Sequence, residues 1–174
     1  RMDSTLSLDG IDKKVSSLVL GTMTFGDTAD ISVAREMLSA AIEAGITMID
    51  TANGYAGGKA EEILAEILPA DDDTFVIATK AGMPHPDAGA NAPLSSAGLN
   101  LSLEGSLKRL RRDHLDLFYL HQPDRSTPIR ETLETIGEWI SSGKISAWGV
   151  SNFAAWQIAE LQVTAREMGI AEPV

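Results

Sequence analysis

Two rhythms of apolar and polar positions alternate along this chain. Five short runs are almost continuously apolar: SLVLG at Ser17–Gly21, ITMID at Ile46–Asp50, TFVIATK at Thr74–Lys80, LDLFYLH at Leu115–His121 and KISAWGVS at Lys144–Ser151. Unbroken apolarity of this kind suits strands covered on both faces, where no side is left for water. Between the runs, apolar residues return every three or four positions. Ala34, Met37, Leu38 and Ala41 share one face of a first predicted helix, and Ile63, Leu64, Ile67 and Leu68 one face of a second. Leu103, Leu107 and Leu110 mark a third, Ile129, Leu133, Ile136 and Ile140 a fourth, and Ile158, Leu161, Ala165 and Met168 a fifth.

Punctuation residues bound these helices. Thr127 is the expected N-cap of the fourth, with Pro128 at its first helical position and Gly143 just past its end. Gly169 stops the fifth. GGKAEE, Gly57 to Glu62, lacks the spacing of a phosphate loop and reads as a helix start. KRLRR, Lys108 to Arg112, falls at a helix end, where cations suit the macrodipole.

Strand starts near residues 17, 46, 74, 115 and 145 are about 30 apart, the length of a βα unit, except where one connection is longer. The pattern therefore predicts an α/β chain built on a parallel sheet. The extra length lies in residues 81–98, whose prolines and glycines argue against regular structure, so that a lid, a substrate loop and a plain surface excursion all fit. His85 within it is expected to meet solvent. STLSLDGIDKKVSS, before the first parallel strand, reads as a hairpin turning at Asp9 and Gly10 that caps the sheet. Arg1 ahead of Met2 reads as a remnant before the natural start, and AEPV stops where another strand is expected to begin.

Composition narrows the class. The 174 residues are 44% hydrophobic and 22% charged, which fits one globular domain. A net charge of -11 opposes binding to nucleic acid or to an anionic membrane surface. Without cysteine there is no disulfide, thiol catalysis or thiolate metal site, and no metal centre is expected. A reducing, cytoplasmic setting fits that composition. The longest apolar runs are far too short to cross a bilayer.

Candidate chemistry gathers at the carboxyl ends of the predicted strands. Asp50 ends the second, Lys80 the third and His121 the fourth, while Ser151 and Asn152 follow the fifth. Any one of these fits an ordinary solvated strand end. Together they fall where βα barrels build their sites. An unperturbed phenol, with a pKa near ~10, is a poor acid at neutral pH, but an ammonium within about 4–6 Å stabilises its anion and a carboxylate keeps that ammonium charged. Tyr55, Lys80 and Asp50 can supply those three parts, and His121 can orient a carbonyl or relay a proton. No side chain carries a hydride, so a redox step requires a cofactor.

Taken as a set, LGTMTFG, DTANGY, ATK, SLKRLRRDHLDLFYLH and GKISAWGVSNF resemble the aldo-keto reductases over nearly the whole chain. FYLHQPDRSTPIRETL and SNFAAWQIAEL are most similar to the branch of aflatoxin-aldehyde and succinic-semialdehyde reductases. The resemblance implies a (β/α)8 TIM barrel that reduces small-molecule aldehydes or ketones with NADPH. Asp50, Tyr55, Lys80 and His121 would be its catalytic tetrad, with Tyr55 as general acid. Ser151 and Asn152 would hold the nicotinamide carboxamide, and Gly21, Thr22, Met23 and Asp50 would lie on the cofactor side.

A full barrel needs about 250 residues and eight strands. The chain is therefore expected to supply the hairpin and about five βα units of a single incomplete domain, residues 1–174, with the remaining units and most of the phosphate grip lying beyond it. A non-enzymatic half-barrel, acting as scaffold or regulatory subunit and pairing with a second copy or another chain, is the alternative expectation.

Overall fold

The computed structural model describes residues 5–68 and 72–174. The reading of Arg1 and Met2 concerns residues outside the described ones. Strands β1 (Thr5–Leu6) and β2 (Val15–Ser16) form the expected antiparallel hairpin, Leu6 opposite Val15. Five further strands, β3 (Leu20–Gly21), β4 (Met48–Asp50), β5 (Val76–Ala81), β6 (Leu115–Leu120) and β7 (Ile145–Val150), lie parallel in chain order in one sheet. Each is followed by a helix: α1 (Ile31–Glu43), α2 (Lys59–Ile67), α3 (Ser96–Leu110), α4 (Ile129–Ser141) and α5 (Ala155–Glu167). The predicted α/β class and its five βα units are present.

Alternation along the strands divides the core in two. Ile49, Ile77, Phe118 and Trp148 pack outward against helix residues such as Leu64, Leu103, Ile136 and Leu161. Met48, Val76, Ala78, Leu117 and Ala147 face the other way and meet Ile11 and Val15 of the hairpin. Burying each of these two hairpin side chains is worth roughly 1.5–3 kcal/mol, enough to seat the hairpin as a cap. The seat is close. A Cβ at Gly10, which has φ +82°, would stand 2.9 Å from the Ser146 carbonyl oxygen. Lys13 ties the hairpin down, its Nζ reaching Asp73 at 2.7 Å, Asp116 at 3.0 Å and the Phe75 carbonyl at 3.1 Å.

The first two parallel strands are shorter than their apolar runs. Ser16 and Thr47 exchange backbone-to-hydroxyl bonds, both 2.9 Å, in place of ladder bonds, and the Ser16 hydroxyl donates to the Leu18 carbonyl at 2.6 Å. Side-chain bonding has displaced the ladder there. In β5 the pairing runs one residue beyond Lys80, with Ala81 opposite Leu120. Helix α4 begins after Pro128, not Thr127; the Thr127 hydroxyl is turned to Asp124, to which it donates at 2.7 Å, and no side chain caps the helix end.

The long connection contains more order than its prolines and glycines imply. Pro86–Ala88 form a 3-10 turn, and α3 has already begun at Ser96, with the Ser95 hydroxyl accepting from the Gly98 amide at 3.1 Å. His85 does not meet solvent. Its side chain is 8% exposed, and its Nδ1 accepts from the Asp87 amide at 3.2 Å. The Leu94 amide donates to Asp124 and the Leu94 carbonyl accepts from Thr132, at 3.1 and 2.8 Å, so the end of the loop is held against the start of α4.

Candidate active site

Parallel strands send their carboxyl ends to one rim, and here β4, β5 and β6 deliver Asp50, Lys80 and His121 to it. The segment after Asp50 stays zipped to β5, with Thr51 N donating to the Ala78 carbonyl at 2.8 Å and Asn53 N to the Lys80 carbonyl at 3.0 Å. Tyr55 then opens a 3-10 turn, and the left-handed residues Ala56, Gly57 and Gly58 turn the chain sharply into α2. A short, pinned loop thus returns the phenol over the strand ends.

Lys80 is the hub. Its Nζ donates to Asp50 Oδ2 at 2.5 Å, to the Thr51 carbonyl at 2.9 Å and to the Tyr55 hydroxyl at 3.2 Å, which engages all three ammonium protons. The Lys80 side chain is 9% exposed and that of Asp50 25%, so the pair is only partly screened by water. The ammonium also lies 4.9 Å from the Tyr55 ring centroid. Tyr55 meets His121 edge-on, their rings 6.1 Å apart at 83°. The four residues expected to act together are therefore in one cluster.

Burial, and after it the charge of Lys80, pushes the His121 imidazole below its ordinary range, against a smaller opposing pull from Asp50. The ring is neutral at neutral pH. Its Nδ1 is buried without a hydrogen-bond partner among the described residues. An orphaned N–H costs more than an orphaned acceptor, so the proton belongs on Nε2, the ring's available donor. A histidine whose folded-state value is depressed loses stability as the pH falls through its unfolded value, because the unfolded chain takes the proton first. Thermal midpoints are accordingly expected to drop as pH is lowered below about 6.5. His121→Asn should flatten that slope; equal slopes in parent and variant would show that His121 titrates as a free imidazole.

At the neighbouring rim, Asn152 follows β7 in a left-handed conformation, φ 60°, and its Nδ2 donates to the His121 carbonyl at 2.8 Å and to Ser151 Oγ at 3.2 Å. Gly21 and Met23 are exposed at the end of β3. Thr22 between them is completely buried, and its amide and hydroxyl both donate to the Asp50 carbonyl, at 3.0 and 3.1 Å, so it supports Asp50.

A second ionic cluster escaped the sequence reading. Glu61 of α2, fully buried, accepts from the Thr79 hydroxyl at 2.5 Å and from Arg109 Nε at 2.7 Å. Arg109 then donates through both terminal nitrogens to Asp87 in the long loop, at 3.1 and 2.7 Å. Its guanidinium is held well above the ordinary arginine range by those two carboxylates, which outweigh its burial. KRLRR is therefore more than a dipole partner. The signal was present in the spacing: Glu61 stands three before Leu64, on the packed face of α2. Among the described residues no group of three or more His, Cys, Asp or Glu could hold a metal ion, and no helix is long and apolar enough to cross a membrane.

The family model described as "Aldo/keto reductase family" matches residues 17–172. Aflatoxin B1 aldehyde reductase member 2 of Rattus norvegicus is 40% identical over 154 residues, covering 87% of this chain and 41% of the rat protein. An uncharacterized oxidoreductase of Bacillus subtilis, YrpG, is 37% identical, covering 88% of this chain and 51% of its own length. A probable voltage-gated potassium channel subunit beta of Oryza sativa is 35% identical, covering 92% and 50%. The chain thus spans about half the length of these relatives or less. With that match and the parallel βα units in chain order, the chain belongs to the aldo/keto reductase family.

Proposed function

We propose that this chain carries the proton-donating half of a carbonyl reductase that converts small aldehydes, and by the same chemistry ketones, to alcohols with NADPH. The observation that carries the reading is the Lys80 ammonium, which bonds the Asp50 carboxylate and the Tyr55 hydroxyl at once. Asp50 keeps the ammonium charged. Lys80 stabilises the negative charge that grows on the phenol as its proton leaves, and Tyr55 gives that proton to the carbonyl oxygen. Neutral His121 donates from Nε2 to the same oxygen and fixes its direction. Proton and hydride together complete the alcohol.

The rim of β7 fits the amide of a nicotinamide. Asn152 spends its Nδ2 on the His121 carbonyl, which leaves Oδ1 as an acceptor, and the Ser151 hydroxyl can both donate and accept. Ser151 and Asn152 would hold the carboxamide, with Gly21, Met23 and Asp50 on the same side of the site. A reduced nicotinamide supplies the hydride when bound. NADPH in place of NADH rests on the resemblance to the aldo-keto reductases, and aldehydes ahead of ketones on likeness to the aflatoxin B1 aldehyde reductases. The acidic, cysteine-free composition supports a cytoplasmic setting.

The relative named as a channel subunit motivates a second reading, in which the protein assembles with another chain and turns over slowly or not at all. Loss of NADPH absorbance with a panel of aldehydes and the full-length protein separates the two. Lys80→Met is expected to lower the rate at neutral pH and to move the alkaline limb of the pH–rate profile upward, since the phenol loses the charge that stabilises its anion. A profile of unchanged shape would remove Lys80 from the chemistry.

A further inference from the structure

We infer that Tyr119 is a positioning residue for Lys80: its ring closes the interior side of the ammonium and holds it on the Asp50–Tyr55 side. The inference rests on the carbonyl-reductase reading above. Lys80, Tyr119 and Gly149 are successive register partners across β5, β6 and β7, so they form one row on the inward face of the sheet. The Lys80 Nζ lies 5.8 Å from the Tyr119 ring centroid, the second aromatic face it meets. The ring occupies the space left by Gly149, where a Cβ would stand 2.7 Å from Tyr119 Cε1. A glycine at that point lets the ring lie over the row. Any larger residue would displace the ring from that place.

The groups around this row are Asp50 from β4, Tyr55 from its loop, Lys80 from β5 and His121 beside it, while β7 contributes the uncharged Gly149. Burial, and then the charge of Asp50, holds the Tyr119 phenol above its ordinary range, so it stays neutral while the site works. Its ring face can attract the ammonium without competing with Asp50 for a proton. A lysine stem has several rotamers, and an ammonium free to swing toward water would stabilise the phenolate less.

The test uses the full-length protein, three variants of this row and Tyr55→Phe as a reference. Tyr119→Leu removes the ring and Gly149→Ala displaces it; each should lower kcat on the order of tenfold, leave both KM values within about twofold and move the alkaline limb in the direction of Lys80→Met. Tyr119→Phe restores the ring without the hydroxyl and should hold kcat within about threefold of the parent. If Tyr119→Phe is as damaging as Tyr119→Leu, the hydroxyl does the work and the inference fails. It fails equally if Tyr119→Leu and Gly149→Ala alter KM alone or leave the pH profile in place. Ultraviolet titration of the tyrosines, with Tyr55→Phe as reference, reads the ionisation of Tyr55 without turnover. A shift on Tyr119→Leu sustains the positioning role even if no carbonyl is reduced; an unmoved titration in an active reductase overturns it.

Discussion

Tyr55→Phe in the full-length protein is expected to reduce carbonyl turnover on the order of 10²- to 10⁴-fold while leaving cofactor affinity nearly unchanged. The substitution removes one proton and one oxygen from a ring whose position is set elsewhere. The Tyr55 amide donates to the Ala52 carbonyl, and the loop ahead of it is zipped to β5 through Thr51 and Asn53. The edge contact with His121 also survives. What disappears is the acid, together with the 3.2 Å bond from Lys80. Steady-state kinetics beside a fluorescence titration of NADPH would separate the two effects. Turnover equal to that of the parent would assign the proton to another donor. Tyr119 would then be the first to examine, since it too faces Lys80 from inside the sheet.

Arg109→Leu is expected to cost about 3–5 kcal/mol of folding stability, because it strands the fully buried Glu61 carboxylate with a single hydroxyl partner. The same change releases Asp87, so the long loop loses both of its guanidinium bonds. Removing the charge as well should restore stability. The double variant Glu61→Gln with Arg109→Leu is expected to recover more than half of the loss, since it buries only a neutral amide in reach of Thr79. Denaturant unfolding of the parent, the two single variants and the double variant closes that cycle. Additive losses would mean that the two side chains do not depend on one another. The consequence for activity follows from β5: Thr79 and Lys80 are neighbours facing opposite ways, so a strand loosened at Glu61 also loosens the ammonium.

These two sites differ in how far the amino-acid order disclosed them. The runs TFVIATK and LDLFYLH became six-residue strands within two residues of their predicted limits, because strands buried on both faces stay largely apolar until the rim. Ser17–Val19 and Ile46–Thr47 belong to the predicted runs but stand outside the strands, since Ser16 and Thr47 offer hydroxyls that compete with the ladder. Thr127 failed as a cap because its hydroxyl is turned to Asp124, three residues earlier, which also takes the Ser126 and Leu94 amides. His85 was misplaced because composition alone describes a loop as solvated. Asp87, two residues on, anchors that loop to Arg109 and draws the imidazole inward.

The sequence by itself determined the parallel α/β frame and the placing of Asp50, Lys80 and His121 on one rim. Both are consequences of local order: apolar runs joined by helices must run parallel, and a polar residue closing such a run must emerge at its carboxyl end. Only the tertiary structure decided which of those groups touch. That Lys80 bonds Asp50, Thr51 and Tyr55 together, that Tyr119 leans over Gly149, and that Glu61 finds Arg109 across 48 residues of chain depend on how each element is rotated and staggered against the next. Periodicity assigns a residue to a face and says nothing of its partner on the facing element. That choice is made by close packing, where one Cβ more or less at positions such as Gly149 moves a ring and everything it holds.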